Sequence, residues 1–385
     1  MKDNIIKIEK DIWGSFDQNN SVGLYVGLSG MILFYDYLHQ AYPIEEYENK
    51  LLAIIEKANQ LIEEGVDSVS LCSGFAGYGI ALLRLQNKSI DIDEEYFETI
   101  DGILLEEFKL LYESNNFDFL HESMGISMYF IERYKVSKNQ NIFKVLQHFS
   151  HDLISKINAD FKNVLVKSSE NRGEYYSFGA AHGVAGYLNF LIYMEKNVEG
   201  LEIDIRKPLR ICVDFLMSYK KYDNESKQYF ANIFSLQSNE FIPSRLSWCQ
   251  GDLGISNALY NTGVFLNDDD LVNESISLMN NSSKISFEDS GINDSGFCHG
   301  SAGALIQYYL AAKKYSLDYS LAIEQWFVIL QKQTNNFEEF LCYDNLNQRY
   351  HAENNLLLGS AGIGLTLLTM EKKADTKWLE TFNLY

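Results

Sequence analysis

Three residues carry the sharpest chemistry in this sequence: Cys249, Cys298 and His299. Two thiols and an imidazole form a zinc-type ligand set. Three protein ligands leave the fourth tetrahedral position open, as a catalytic rather than a structural zinc requires. The competing reading makes both cysteines core residues, because free cysteine is often buried. Against it stand a Cys-His dipeptide flanked by Gly296 and Gly300 and a cysteine at the matching position one repeat earlier. His182 occupies the same position as His299 without a neighbouring cysteine. It reads as a general acid or base at neutral pH, or as a histidine hydrogen-bonded between helices.

These positions match because the chain repeats itself, and repeats decide the fold before anything else. A small-residue turn, Gly-x-x-Gly, followed by an apolar run occurs seven times: from Gly27, Gly74, Glu122, Gly183, Gly251, Gly300 and Gly359. The second glycine is present in all seven copies, and Glu122 replaces the first in the third. The two residues before each turn are Tyr25-Val26, Cys72-Ser73, Leu120-His121, Ala181-His182, Cys249-Gln250, Cys298-His299 and Leu357-Leu358. Three of the five cysteines and three of the seven histidines fall in these slots. Equivalent repeats would turn all the slots toward one shared mouth, where helix N-termini also converge and lower thiol pKa values.

Between the turns lie amphipathic stretches such as YENKLLAIIEKANQLIEE from Tyr47, with an apolar stripe and a Glu/Lys face. The runs after the glycines are apolar nearly all round, as buried helices are. One half-polar and one buried helix per unit predict concentric rings: an all-α, α/α toroid of seven inner and seven outer helices over residues 1–385. An open solenoid repeats helix pairs too, but the terminal copies carry no polar cap. Strand signals are few, and Ser168 to Ser177 and Tyr222 to Ser247 read as loops.

Composition narrows the function. Only 3 prolines interrupt 385 residues, which suits long helices. The net charge of −21 argues against a nucleic-acid backbone as partner and is compatible with a basic peptide. Five cysteines are too few for a disulfide scaffold. The start of the chain shows no signal peptide, and the longest weakly polar run, Leu356 to Met370, is too short to span a bilayer. A reducing cytoplasm is the expected setting. Cys72 and His121 form a second pair without a third ligand and read as structural; Cys212 and Cys342 read as packing residues. His39, His148, His151 and His351 lie outside the slots and read as solvated or hydrogen-bonded. Asp118 and Arg245 each precede an inner turn by four residues and, on sequence alone, read as surface or salt-bridge residues.

SRLSWCQGDLGI from Ser244, GFCHGSAG from Gly296 and GAAHGVAG from Gly179 together resemble the signature turns of the lanthipeptide cyclase family, the LanC-like proteins. The resemblance covers the chain from about Gly27 to Met370. It implies an α/α toroid with one central zinc on Cys249, Cys298 and His299, a catalytic histidine at His182, an active-site aspartate at Asp118 and an arginine at Arg245. It also implies the reaction. A peptide Cys thiol adds to dehydroalanine or dehydrobutyrine, closing lanthionine or methyllanthionine thioether rings in a lantibiotic precursor. The implied partners are the dehydrated precursor peptide, with its leader and core, a dehydratase and an export transporter at the membrane. Two departures stand out. Gln250 occupies the position after the first zinc cysteine, where the family often has Tyr, and Glu122 replaces the usual glycine of the third turn. Two other functions use the same residues: addition of glutathione to dehydrated peptides, and a non-catalytic peptide-binding scaffold with a zinc site.

Overall fold

The structure is a computed structural model that describes residues 2–66, 68–86, 88–169, 172–345 and 347–385. Among the described residues, fourteen α-helices alternate along the chain. They are α1 (Lys2–Ser15) and α2 (Leu28–Ala41), α3 (Glu45–Gly65) and α4 (Phe75–Leu85), α5 (Glu94–Glu113) and α6 (Ser123–Ser137), and α7 (Gln140–Leu165) and α8 (Val184–Asn197). There follow α9 (Arg206–Ser218) and α10 (Asp252–Leu266), α11 (Asp269–Ser282) and α12 (Ser301–Tyr315), and α13 (Ser320–Gln333) and α14 (Ser360–Met370). The odd-numbered helices bury a single stripe. In α5 the buried residues are Phe97, Ile100, Leu104, Phe108 and Tyr112, while Glu95, Glu98, Glu106 and Lys109 face solvent. The even-numbered helices are enclosed on all sides; every residue of α8 from Val184 to Met194 is buried. The sequence therefore separates the two layers by apolar patterning alone.

The enclosed helices pack in the order α2, α4, α6, α8, α10, α12, α14 and back to α2, so the inner ring closes. Each inner helix also packs against the outer helix that follows it: α2 on α3, α4 on α5, and so on to α12 on α13. Among the described residues no outer helix follows α14, and α1 packs in that place against it. Ile5, Ile8 and Ile12 supply the buried stripe of α1. The seventh unit is thus completed by the first helix of the chain, so no solenoid end is left exposed.

The three longest gaps between turns hold strands, and in two of them, at Ser168–Ser177 and within Tyr222–Ser247, the sequence pattern predicts loops. β1 (Lys167–Ser169), β2 (Gly173–Ser177), β3 (Ile233–Ser235) and β4 (Glu240–Ile242) form one antiparallel sheet in that order, with Lys167 opposite Tyr175 and Phe234 opposite Phe241. β5 (Leu341–Asp344) pairs with β6 (Arg349–Ala352). Strands of three to five residues are too short to show an alternating pattern. Their pairing rests on cross-strand contacts such as Phe234 with Phe241, ring centroids 5.0 Å apart.

After α14, the 3₁₀ turn Lys377–Phe382 enters the bore of the ring. Phe382 packs 4.0 Å from Phe297, 4.7 Å from Tyr25 and 5.1 Å from Trp248, centroid to centroid. Tyr25 Oη donates to the Thr381 carbonyl at 2.5 Å and Trp248 Nε1 to the Phe382 carbonyl at 3.1 Å. Trp248 and Phe297 directly precede Cys249 and Cys298, so the C-terminal turn forms a floor beneath them. Among the described residues no helix is long and apolar enough to cross a membrane.

Candidate metal centre

The seven turns are stitched into a collar at one end of the ring by backbone hydrogen bonds. Tyr25 N donates to Cys72 O, Cys72 N to Leu120 O, Ala181 N to Cys249 O, Trp248 N to Cys298 O, Cys298 N to Leu357 O, and Leu357 N to Tyr25 O. Within each turn, the second glycine lets the start of the helix close onto the turn's own backbone. A Cβ on Gly303 would lie 1.8 Å from the Phe297 carbonyl oxygen, and one on Gly254 would lie 2.2 Å from that of Trp248. Both carbonyls belong to the residue just before a candidate zinc cysteine, so these glycines set where the thiols sit.

Cys249, Cys298 and His299 bring one ligand atom each to within 4.8 Å of one another. Cys249 and His299 are half-buried and Cys298 is buried. The thiols influence each other strongly. A hydrogen bond from the Cys298 thiol pulls Cys249 down, against burial, with help from His299 and Ser247. Cys298 is pushed up correspondingly by Cys249 and by burial, while the Arg245 charge pulls it down. Two thiolates this close repel each other, and a cation between them would remove that cost. Two sulfurs and one imidazole converging from adjacent turns fit a zinc ion and leave a coordination position for an outside ligand.

The collar has no backbone link between the third and fourth turns among those bonds, and a side-chain pair stands there instead. His182 Nδ1 donates to Asp118 Oδ2 at 2.7 Å. Asp118 is held by its own turn as well: Oδ1 accepts from Leu120 N at 2.8 Å and His121 N at 3.0 Å. Burial would raise the Asp118 carboxyl, but His182 and Lys167 hold it well below the ordinary carboxylate range. His121 lies parallel to His182 with centroids 5.9 Å apart, and burial lowers its pKa. Cys72, pushed up to about 12 by burial and then by Asp118, stays a thiol. Glu122, the residue in place of a glycine, turns Oε2 back onto Asp118 N at 2.6 Å with ordinary extended backbone.

The family model described as Lanthionine synthetase C-like protein matches residues 18–383. The chain belongs to that family. Among solved structures, nisin cyclase has the same fold, with a TM-score of 0.75, 20% sequence identity and coverage of 100% of this chain and 98% of that one. No curated protein sequence matches.

In this LanC-like chain two further residues reach the site from outside the repeated slots. Asp294 is buried, and its Oδ1 accepts from Gly296 N at 3.1 Å. Its Oδ2 accepts from Tyr343 N at 3.2 Å and lies 3.6 Å from His299 Nε2. Cys342, on β5, lies 3.8 Å from the same oxygen and is pushed up to about 12 by burial and then by Asp294. Asp294, His299 and Cys342 therefore form a second cluster that shares His299 with the first. Asp294, tied to the backbone by both oxygens and close to His299 Nε2, reads as support for the imidazole. The second arrival is Lys167 on β1, whose Nζ is paired with Asp118 Oδ2. A spacing signal for Asp118 did exist. Four residues before the glycine slot, Ser70, Asp118, Ser247 and Asn355 each accept a hydrogen bond from the backbone N–H three residues on. Only Asp118 adds a charge there.

Proposed function

We propose that this LanC-like protein is a zinc-dependent lanthipeptide cyclase that closes thioether rings in a dehydrated precursor peptide. The observation that carries the reading is the convergence of Cys249, Cys298 and His299 at a collar that also presents an Asp118-held His182. A zinc ion on those three ligands would keep a substrate thiol as thiolate at neutral pH, where a free thiol with pKa ~8.5 is mostly protonated. Sulfur then bonds to the β-carbon of dehydroalanine or dehydrobutyrine, and the α-carbon gains one proton, so the peptide's mass does not change. His182 delivers that proton. Its Nδ1 is spent on Asp118, so Nε2 is the nitrogen that faces the substrate. Asp118 keeps the ring oriented and balances the imidazolium charge. Arg245, whose charge reaches Cys298, offsets the enolate oxygen.

On this reading the substrate arrives already dehydrated, so a dehydratase acts first and an export transporter afterwards. The five free thiols suit the cytoplasm, and the −21 charge suits attraction of a basic leader. Two variants separate the parts. Cys298→Ala is expected to lose near-stoichiometric zinc together with ring closure. His182→Ala is expected to keep its zinc and lose ring closure. Zinc retained in Cys298→Ala removes the ligand assignment, and full ring closure by His182→Ala removes the proton donor.

A further inference from the structure

Lys167 belongs to none of the seven turns. It sits on β1, between the third and fourth, and pairs with the same Asp118 oxygen that accepts from His182 Nδ1. Asp118 has no freedom to serve them in turn, because Oδ1 is committed to Leu120 N and His121 N and only 4% of its side chain is exposed. We propose that Lys167 is a positioning residue for His182, acting through Asp118. The turnover part of this inference rests on the cyclase reading; the titration part does not.

Two physical effects follow from the shared oxygen. First, the ammonium holds Oδ2 while the turn's own N–H groups hold Oδ1, so the imidazole meets a carboxylate fixed at both oxygens. Second, the ammonium neutralises much of the Asp118 charge. A buried carboxylate facing a histidine alone would stabilise the imidazolium and make it a reluctant proton donor. The Lys167 ammonium on the same oxygen opposes that pull while leaving the hydrogen bond to Nδ1 in place.

The charged and titratable groups around the His182–Asp118 pair come from several elements: His121 and Glu122 on the turn before α6, Cys72 on the turn before α4, Tyr187 on α8 and Lys167 on β1. The turn before α10 approaches through the Cys249 carbonyl, which accepts from Ala181 N at 3.5 Å. Among the described residues Lys167 is the lysine paired with that carboxylate. The sheet also ties it to the metal-binding loop. Lys167 pairs across β2 and β3 to β4, which ends at Ile242, three residues before Arg245 and seven before Cys249.

The test uses the zinc-loaded full chain with Lys167→Met, Lys167→Gln and Lys167→Arg. The His182 titration is followed by NMR and assigned by its absence in His182→Asn. In Lys167→Met and Lys167→Gln the His182 midpoint is expected to rise by about one pH unit, as loss of a neighbouring cation requires. In Lys167→Arg it is expected to stay in place. In ring-closure assays the first two variants are expected to lose about tenfold in kcat with KM within about twofold, and the alkaline limb of the pH profile is expected to move up with the midpoint. Arg is expected to restore the rate. An unchanged His182 midpoint in a folded Lys167→Gln protein overturns the proposal, as does a midpoint that moves equally in Lys167→Arg. If Lys167→Met fails to fold, Gln and Arg still decide. If no variant, nor the parent chain, closes rings, the cyclase reading fails while the NMR result stands by itself.

Discussion

Asp294 behind His299 is the residue whose replacement tests the support of the imidazole. Its Oδ2 faces Nε2, which favours a proton on that nitrogen and leaves Nδ1 free to bind metal. Asp294→Asn keeps the shape and one acceptor for Gly296 N, yet offers His299 no charge. Zinc affinity, measured by competition with a chromophoric chelator, is expected to fall about 10- to 100-fold, alongside a loss of about 1–3 kcal/mol in stability from the Tyr343 N–H left without its acceptor. Equal affinity would remove Asp294 from the metal's support. Asp118 makes a pH prediction. Its folded pKa lies below the unfolded value of about 3.9, so its contribution is present above that value and is lost as pH falls toward the folded pKa. Asp118→Asn is therefore expected to flatten the acid side of the stability curve below about pH 4 in urea unfolding. Legibility at this scale followed repetition. Cys249, Cys298, His299 and His182 share slots that recur, so their types could be compared across copies. A lysine in a three-residue strand and an aspartate five residues before His299 have no counterpart to be compared with. Both acquire meaning only when the chain brings them to Asp118 and His299.

At the scale of elements, the turns do more than reverse direction. The second glycine recurs because the next atom is the carbonyl oxygen six residues earlier, closest at Gly303. Gly303→Ala must push the Phe297–Cys298 segment away. It is expected to cost about 1–3 kcal/mol in stability and to weaken zinc binding as well. Gly102→Ala, with nothing near its absent Cβ on outer helix α5, is expected to be neutral or slightly stabilising under the same chemical denaturation. Equal effects at both sites would break the link between close approach and thiol placement. The helices were legible because their two burial patterns differ over ten or more residues. The strands were not, because each is short and is stabilised by partners far away in sequence, as Tyr176 is by Phe234.

At the scale of the whole molecule, closure explains why one ring can hold a site built from separate turns. The first helix completes the seventh unit, and a Cβ added at Gly364 of α14 would meet Ile8 and Phe34. Ile8→Ala is expected to cost about 2–5 kcal/mol and to lower the midpoints by tryptophan fluorescence and far-UV circular dichroism together. Separate midpoints would mean that the ring opens at α1 before the rest unfolds. The C-terminal turn packs against Trp248 and Phe297, next to the turns that carry Cys249 and Cys298. The most direct measurement is a count of free thiols in a dehydrated Ser/Thr/Cys precursor peptide, by alkylation and mass, after incubation with zinc-loaded protein. The expected result is one fewer alkyl adduct for each ring closed, with no mass change before alkylation and no loss of adducts after zinc chelation. Unchanged alkylation with the zinc-loaded protein would contradict the cyclase function, and a glutathione adduct formed in its place when glutathione is supplied would assign the incoming thiol to a different donor.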